Sequence, residues 1–333
     1  GGINTGNIDM NIRPRINRWT AARRNLINGG TILSSLVQPH FVVAGEQIDE
    51  PIRGMPGIHQ QSVDVLLKTV EEDASHGLKA VMLFGVVAHE HKDARASYAH
   101  DASSHLHQAI YALKKAHGDD LVVMTDVCLC TATEHGHCGL VHDREIINDA
   151  SVNVLVNIAL SHAKAGADYV CASDMMDGRI DSIRSAFEKN ELTGSGILAY
   201  SVKYASSFYG PFRHAAQSSP GFGDRTTHQM DVRSGYEEAI LEANLDESEG
   251  ADIIMVKPGL PYLDVLRKVA DSVVRPVAVY NVSGEYSMVM NAADDEASRQ
   301  HMVVEVLTAF KRAGANVVVS YHAREAARKR WVN

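Results

Sequence analysis

Eight short runs of apolar and β-branched residues punctuate the chain: LVQPHFVV ending at Val43, KAVMLFGV at Val86, LVVMTDV at Val127, DYVCAS at Ser173, ILAYSV at Val202, DIIMVK at Lys257, PVAVYNV at Val282 and NVVVSY at Tyr321. Most lack the alternation of a strand with one wet face. They predict strands buried on both sides, as in a parallel sheet. Segments of helical period lie between them. SVDVLLKTVEEDASHG (62–77) sets Val63, Leu66, Leu67 and Val70 on one face, and INDASVNVLVNIALSHAKAG (147–166) and SRQHMVVEVLTAFKRAG (298–314) behave alike. Each closes on or next to Gly, the residue that favours the position just past a helix end. GLKAVML (77–83), GADYVCA (166–172), GADIIMV (250–256) and GANVVVS (314–320) echo one another as helix end, Gly, link and strand.

Eight alternating units predict an α/β fold of the (β/α)8 TIM-barrel type. The competing architecture is an open doubly wound sheet. Its best motif, GSGILA (194–199), precedes a strand instead of following one, so it makes a poor dinucleotide fingerprint. Residues 1–32 are rich in Arg and Asn and precede the first strand. They are expected to form an N-terminal arm used in oligomer contacts, with residues 33–333 as a single catalytic barrel. FYGPFRHAAQSSPGFGDRTTHQ (208–229) shows no helical period, and a loop this long after a barrel strand is expected to be a lid, about 208–230.

Composition narrows the partners. A net charge of −9 and a pI near 6.0 supply no basic field for nucleic acid. No apolar run approaches the ~20 residues that span a bilayer, and the first residues lack the apolar core of a signal peptide. Four cysteines in 333 residues make no disulfide framework, so a cytoplasmic location is expected.

In a barrel, chemistry sits where strands end. Here those ends carry Asp126, Cys128 and Cys130, then Ser173 with Asp174, Lys203, Lys257, Tyr280 with Ser283, and Tyr321. Lys203 and Lys257 both finish apolar strands. Burial and a neighbouring amine lower a lysine's pKa, and a neutral lysine forms Schiff bases with carbonyls. A solvated rim lysine is the ordinary reading of either one alone; two on different strands favour covalent catalysis. The loop DVCLCTATEHGHCGL (126–140) holds Cys128, Cys130 and Cys138. Three thiolates and a vacant position describe a catalytic zinc. A redox pair, incidental thiols, or a structural zinc closed by His135 or His137 are the alternatives. Cys171 lies within a strand and reads as a small buried hydrophobe. Arg213 and Arg225, in the lid, could clamp a carboxylate. Asp174 is the candidate to orient a polar group at the mouth, and Asp177 to cap the next helix.

Taken together, DVCLC…HGHCG, SDMMDGR, YGPFR.AA.SSP.FGDR, MVKPG.PYLDV and VSGEY run in order from about Arg13 to the C-terminus, and in them the chain resembles the porphobilinogen synthase (δ-aminolevulinate dehydratase) family. The resemblance implies a barrel with an N-terminal arm that condenses two 5-aminolevulinate molecules into porphobilinogen, for haem and other tetrapyrroles. It implies Schiff-base roles for Lys257 on the A side and Lys203 on the P side. Arg213, Arg225 and Gln229 would hold the A-side carboxylate, and Ser283 and Tyr321 the P-side one. Cys128, Cys130 and Cys138 would bind zinc, with Asp126 and Ser173 lining the site. Glu242 matches the position of an allosteric magnesium carboxylate; a plain surface Glu is its other reading. A homo-octamer of arm-exchanging dimers is implied, with hexamers or smaller forms as the alternatives. Thr131-Ala132 departs from the family's usual Pro-Tyr, and His59-Gln60-Gln61 from an RYG-like stretch. A class I aldolase, also a barrel with one Schiff-base lysine, and a metal-binding protein without turnover are the competing functions.

Overall fold

The computed structural model describes residues 10–333. Eight parallel strands form its centre: β1 (Leu36–Val42), β2 (Ala80–Gly85), β3 (Val122–Val127), β4 (Tyr169–Ala172), β5 (Gly196–Lys203), β6 (Ile253–Lys257), β7 (Val277–Asn281) and β8 (Val317–Ser320). Each pairs with the next, and β8 pairs with β1 through Leu36↔Val318, which closes the barrel. The predicted strands all form, and all but the last residue of β2 and Asp126 of β3 are buried. The continuous apolar runs are explained by this geometry. One face of each strand fills the barrel interior, where Phe41, Met82, Met124, Leu198, Met255 and Val319 pack together. The other face meets the helices.

Those helices include α1 (Ala21–Asn28), α2 (Val63–Ser75), α3 (His105–His117), α4 (Asn148–Ala165), α5 (Arg179–Lys189), α6 (Gly210–Ala216), α7 (Tyr236–Glu249), α8 (Leu263–Ser272), α9 (Ser283–Ala292) and α10 (Glu296–Arg312). Gly166, Gly250 and Gly314 end or follow α4, α7 and α10 with φ of 117°, 111° and 112°, conformations that favour glycine.

Two features differ from the sequence reading. From Pro14 onward the expected arm folds back beneath the barrel. Ile16, Ala22 and Leu26 are buried there, and Asn17 accepts the Tyr169 hydroxyl at 2.8 Å while donating to the Asp252 carbonyl at 2.9 Å. Residues 1–9 of that arm lie outside the described residues. The lid region also contains α6, seven residues long, too short to show a period and opened by Gly-Pro.

Candidate active site

Strand register does the first part of the assembly. β5 and β6 pair so that Lys203 stands opposite Lys257, and both strands are apolar along their length, so both amines end inside the mouth, 5% exposed. Lys203 Nζ donates to the Ser173 carbonyl at 2.6 Å. Lys257 Nζ lies 4.4 Å from the Tyr280 ring centre and 5.0, 5.1 and 5.3 Å from those of Tyr209, Phe212 and Tyr200. Burial, then the charge of Lys203, hold the Lys257 amine well below its ordinary 10.5. The neutral amine is the form of lysine that can add to a carbonyl. Asp126, at the end of β3, accepts the Ser173 hydroxyl at 2.6 Å. Burial raises the Asp126 carboxyl, opposed by that hydrogen bond and by the two lysines.

Cys128, Cys130 and Cys138 are buried, with their sulfurs within 4.8 Å of one another, the one such group of potential metal ligands among the described residues. His135 and His137 do not join it. The His137 Nε2–H donates to the Phe222 carbonyl at 2.8 Å, and His135 Nδ1 accepts the His137 backbone N–H at 3.1 Å. The chemistry of the donor set fits a metal ion. Burial and the neighbouring sulfurs push the Cys128 thiol far up, while hydrogen bonds from Cys128 and Cys130 hold Cys138 well below its usual value. Three buried sulfurs this close cannot all be thiolates unless a cation joins them. Cys171 packs inside the barrel as a small apolar residue, opposite Asp126 in the β3–β4 register.

The 208–229 segment packs against both groups. Phe212, from α6, packs edge-on against Phe84 at 5.0 Å and tilts against Phe41 at 5.5 Å, and its backbone N–H donates to Ser283 Oγ at 3.0 Å. Arg225 is buried and donates to the carbonyls of Gly136 at 3.0 Å and Ser218 at 2.6 Å. Burial disfavours its charge, but the adjacent Cys138, Cys130 and Cys128 outweigh that and raise its pKa. Both side-chain amide atoms of buried Gln229 lack a partner, as does the Arg213 Nε. Buried polar atoms left open in this way await a polar ligand, and two guanidiniums with an amide offer what a carboxylate accepts. Across the mouth, the Tyr321 and Tyr280 hydroxyls meet at 2.9 Å. Lys257 touches Tyr280 and Phe212, whereas Lys203 approaches just the Tyr200 ring, at 5.4 Å. Lys257 thus meets rings of β7 and of the 208–229 segment, and Lys203 meets the Tyr200 ring.

Glu242 lies away from the mouth on α7. It lines a polar cavity of about 440 Å³ with Asp177, Asp231, Glu238, His228 and Gln229. Burial, then Asp246, raise its carboxyl to about 7. Asp174 turns inward, accepting the Met176 N–H at 2.8 Å and pairing with Arg179 at 3.5 Å. Gly178, not Asp177, occupies the cap position of α5. Sequence reasoning missed Arg179, Phe212 and His228. Arg179 and Phe212 stand inside the quoted motifs SDMMDGR and YGPFR, which was the one signal available; His228 carried none.

A closed parallel barrel with two buried lysines and a thiol cluster at its strand ends defines a barrel enzyme. The family model described as delta-aminolevulinic acid dehydratase matches residues 11–329. A delta-aminolevulinic acid dehydratase of Methanothermus sociabilis is 46% identical over 314 residues, covering 94% of this chain and 97% of the relative. One from Halalkalibacterium halodurans is 44% identical over 323 residues, covering 96% and 97%. A crystal structure of the Toxoplasma gondii enzyme, also called porphobilinogen synthase and solved with the product porphobilinogen, superposes with a TM-score of 0.86 at 45% identity, covering 97% of this chain and 92% of that one. The chain belongs to the delta-aminolevulinic acid dehydratase family. It is a hydro-lyase of tetrapyrrole synthesis, a porphobilinogen synthase, and not an aldolase.

Proposed function

We propose that the enzyme joins two 5-aminolevulinate molecules through Schiff bases on Lys203 and Lys257 beside a zinc held by Cys128, Cys130 and Cys138. The observation that carries this is the register pairing of two buried lysines, one with its amine strongly depressed. Each Nζ adds to a substrate ketone, expelling one water and leaving an iminium that acts as an electron sink. One C–C and one C–N bond then join the substrates, both lysines are released, and protons leave as the pyrrole forms. Two substrates thus give one product and two waters.

The residues divide by side. Ser283 and Tyr321 bind the carboxylate of the substrate on Lys257; Arg213, Arg225 and Gln229 bind that of the substrate on Lys203. Holding both turns a bimolecular step into an intramolecular one, which contributes up to ~7–11 kcal/mol. Asp126 and Ser173 orient the groups between the lysines and move protons there. Phe212 and the lid exclude water. Cys128, Cys130 and Cys138 would hold the zinc, which would supply Lewis acidity toward a substrate carbonyl or amine.

Magnesium at Glu242, partly through water, is supported by that carboxyl's burial among Asp177, Glu238 and Asp246. A cytoplasmic homo-octamer is supported by the resemblance and by apolar groups left open, Trp19 near the N-terminus and Leu241 and Leu245 on α7. Borohydride reduction in the presence of 5-aminolevulinate, followed by peptide mass spectrometry, is expected to place adducts on Lys257 and Lys203. An unlabelled enzyme that still turns over would overturn the Schiff-base mechanism, and full turnover with fewer than one zinc per site would overturn the metal assignment.

A further inference from the structure

The lid and the cysteine loop meet along a seam that neither the sulfur cluster nor a substrate carboxylate requires. The Gly221 N–H donates to the His135 carbonyl at 2.7 Å. Arg225 donates to the Gly136 carbonyl, and the His137 Nε2–H to the Phe222 carbonyl. The approach is close enough that a Cβ on Gly136, whose φ is +71°, would collide with the Ser219 carbonyl. At the other end of the seam, Lys92 Nζ donates to the Gln217 carbonyl at 2.6 Å. The segment bearing Lys92 is laced to the cysteine loop in turn. The Asp93 N–H donates to Ala132 at 3.2 Å, and the Glu134 N–H to Asp93 at 3.0 Å. The contacts therefore end on two backbones that form one unit.

We infer that His137 and Lys92 are positioning residues that latch the lid to the cysteine loop, so that ordering of the sulfur cluster and closure of the lid are one event. The latch needs no metal reading; its coupling to the cluster rests on the zinc site proposed above. If the three sulfurs part, Gly136 and His137 move with them and the Gly221 and Phe222 bonds are lost together. The lid then opens, and the polar donors of Arg225 and Gln229 are no longer held in place for a carboxylate.

The test is hydrogen–deuterium exchange of the 217–229 backbone in the zinc-loaded, full-length enzyme, read beside KM and kcat. His137→Leu and Lys92→Met are each expected to speed exchange at Gly221 and its neighbours about tenfold. KM for 5-aminolevulinate should rise more than kcat falls and zinc should be held more weakly, with circular dichroism unchanged. His137→Gln and Lys92→Arg, which keep a donor, should restore both readouts. Chelating the wild-type enzyme should reproduce the fast exchange. Unchanged lid exchange in both donor-less variants overturns the latch. Metal loss without faster lid exchange overturns the coupling. If the protein binds no zinc to lose, the zinc reading fails, and the latch is still decided by the Lys92 and His137 variants.

Discussion

The two ends of the barrel handle buried charge in opposite ways. At the floor, where strands begin, charges are matched. Asp168 pairs with Arg23 at 3.0 Å and Lys114 at 2.9 Å and accepts the Val123 N–H. Asp252 pairs with Arg184 and Arg275 and accepts the Ile197 N–H. At the mouth, Lys257 is as buried as these groups, yet it enters no ion pair among the described residues and faces aromatic rings. Buried ions are tolerated when matched, and an unmatched one costs stability. The floor's charges are paired within the fold, and the amine at the mouth is not.

The comparison breaks most sharply at Lys257. Lys257→Met should cut kcat by ~10⁴-fold or more while raising thermal stability at neutral pH, measured by steady-state turnover and thermal melts. The sign follows from linkage. Because the folded amine lies below its ordinary 10.5, the unfolded chain holds the proton more tightly, and stability rises with pH until both states are deprotonated. The variant's advantage should therefore shrink toward pH 10; an advantage constant with pH would show that the amine is not depressed. Asp168→Ala is next and should do the reverse. It strands Arg23 and Lys114 and should cost about 3–5 kcal/mol in denaturant melts, with kcat per folded molecule close to wild type. A large loss of kcat there would erase the distinction between the two ends. The mildest effect expected is for Gly196→Ala at the floor. A Cβ there meets the Tyr169 ring, so stability should fall by ~1–3 kcal/mol, with KM unchanged.

Much of this was legible in the sequence, for physical reasons. Strands buried on both faces write themselves as unbroken apolar runs, so all eight could be read. The lysines and cysteines stood out because such groups at strand ends have few structural uses. What could not be read depends on three-dimensional approach. The α6 helix is under two turns long. The packing of Ile16 beneath the barrel joins residues far apart in the chain. Which rings each amine meets likewise depends on how distant segments come together. His135 and His137 sit at plausible ligand spacing, and only the folded loop shows that their ring nitrogens stand outside the sulfur cluster.

The plug under the barrel has a consequence for anyone trimming the protein. The bare Cα of Gly196 makes room for the Tyr169 ring, Ile16 packs beside them, and Asn17 accepts the tyrosine hydroxyl. The eight repeating units therefore do not seal their own interior. A fragment begun at the first strand would keep every residue of the mouth and yet admit water from below, to the base of the stack of side chains that supports the lysines. The smallest working piece of this enzyme starts before its barrel does.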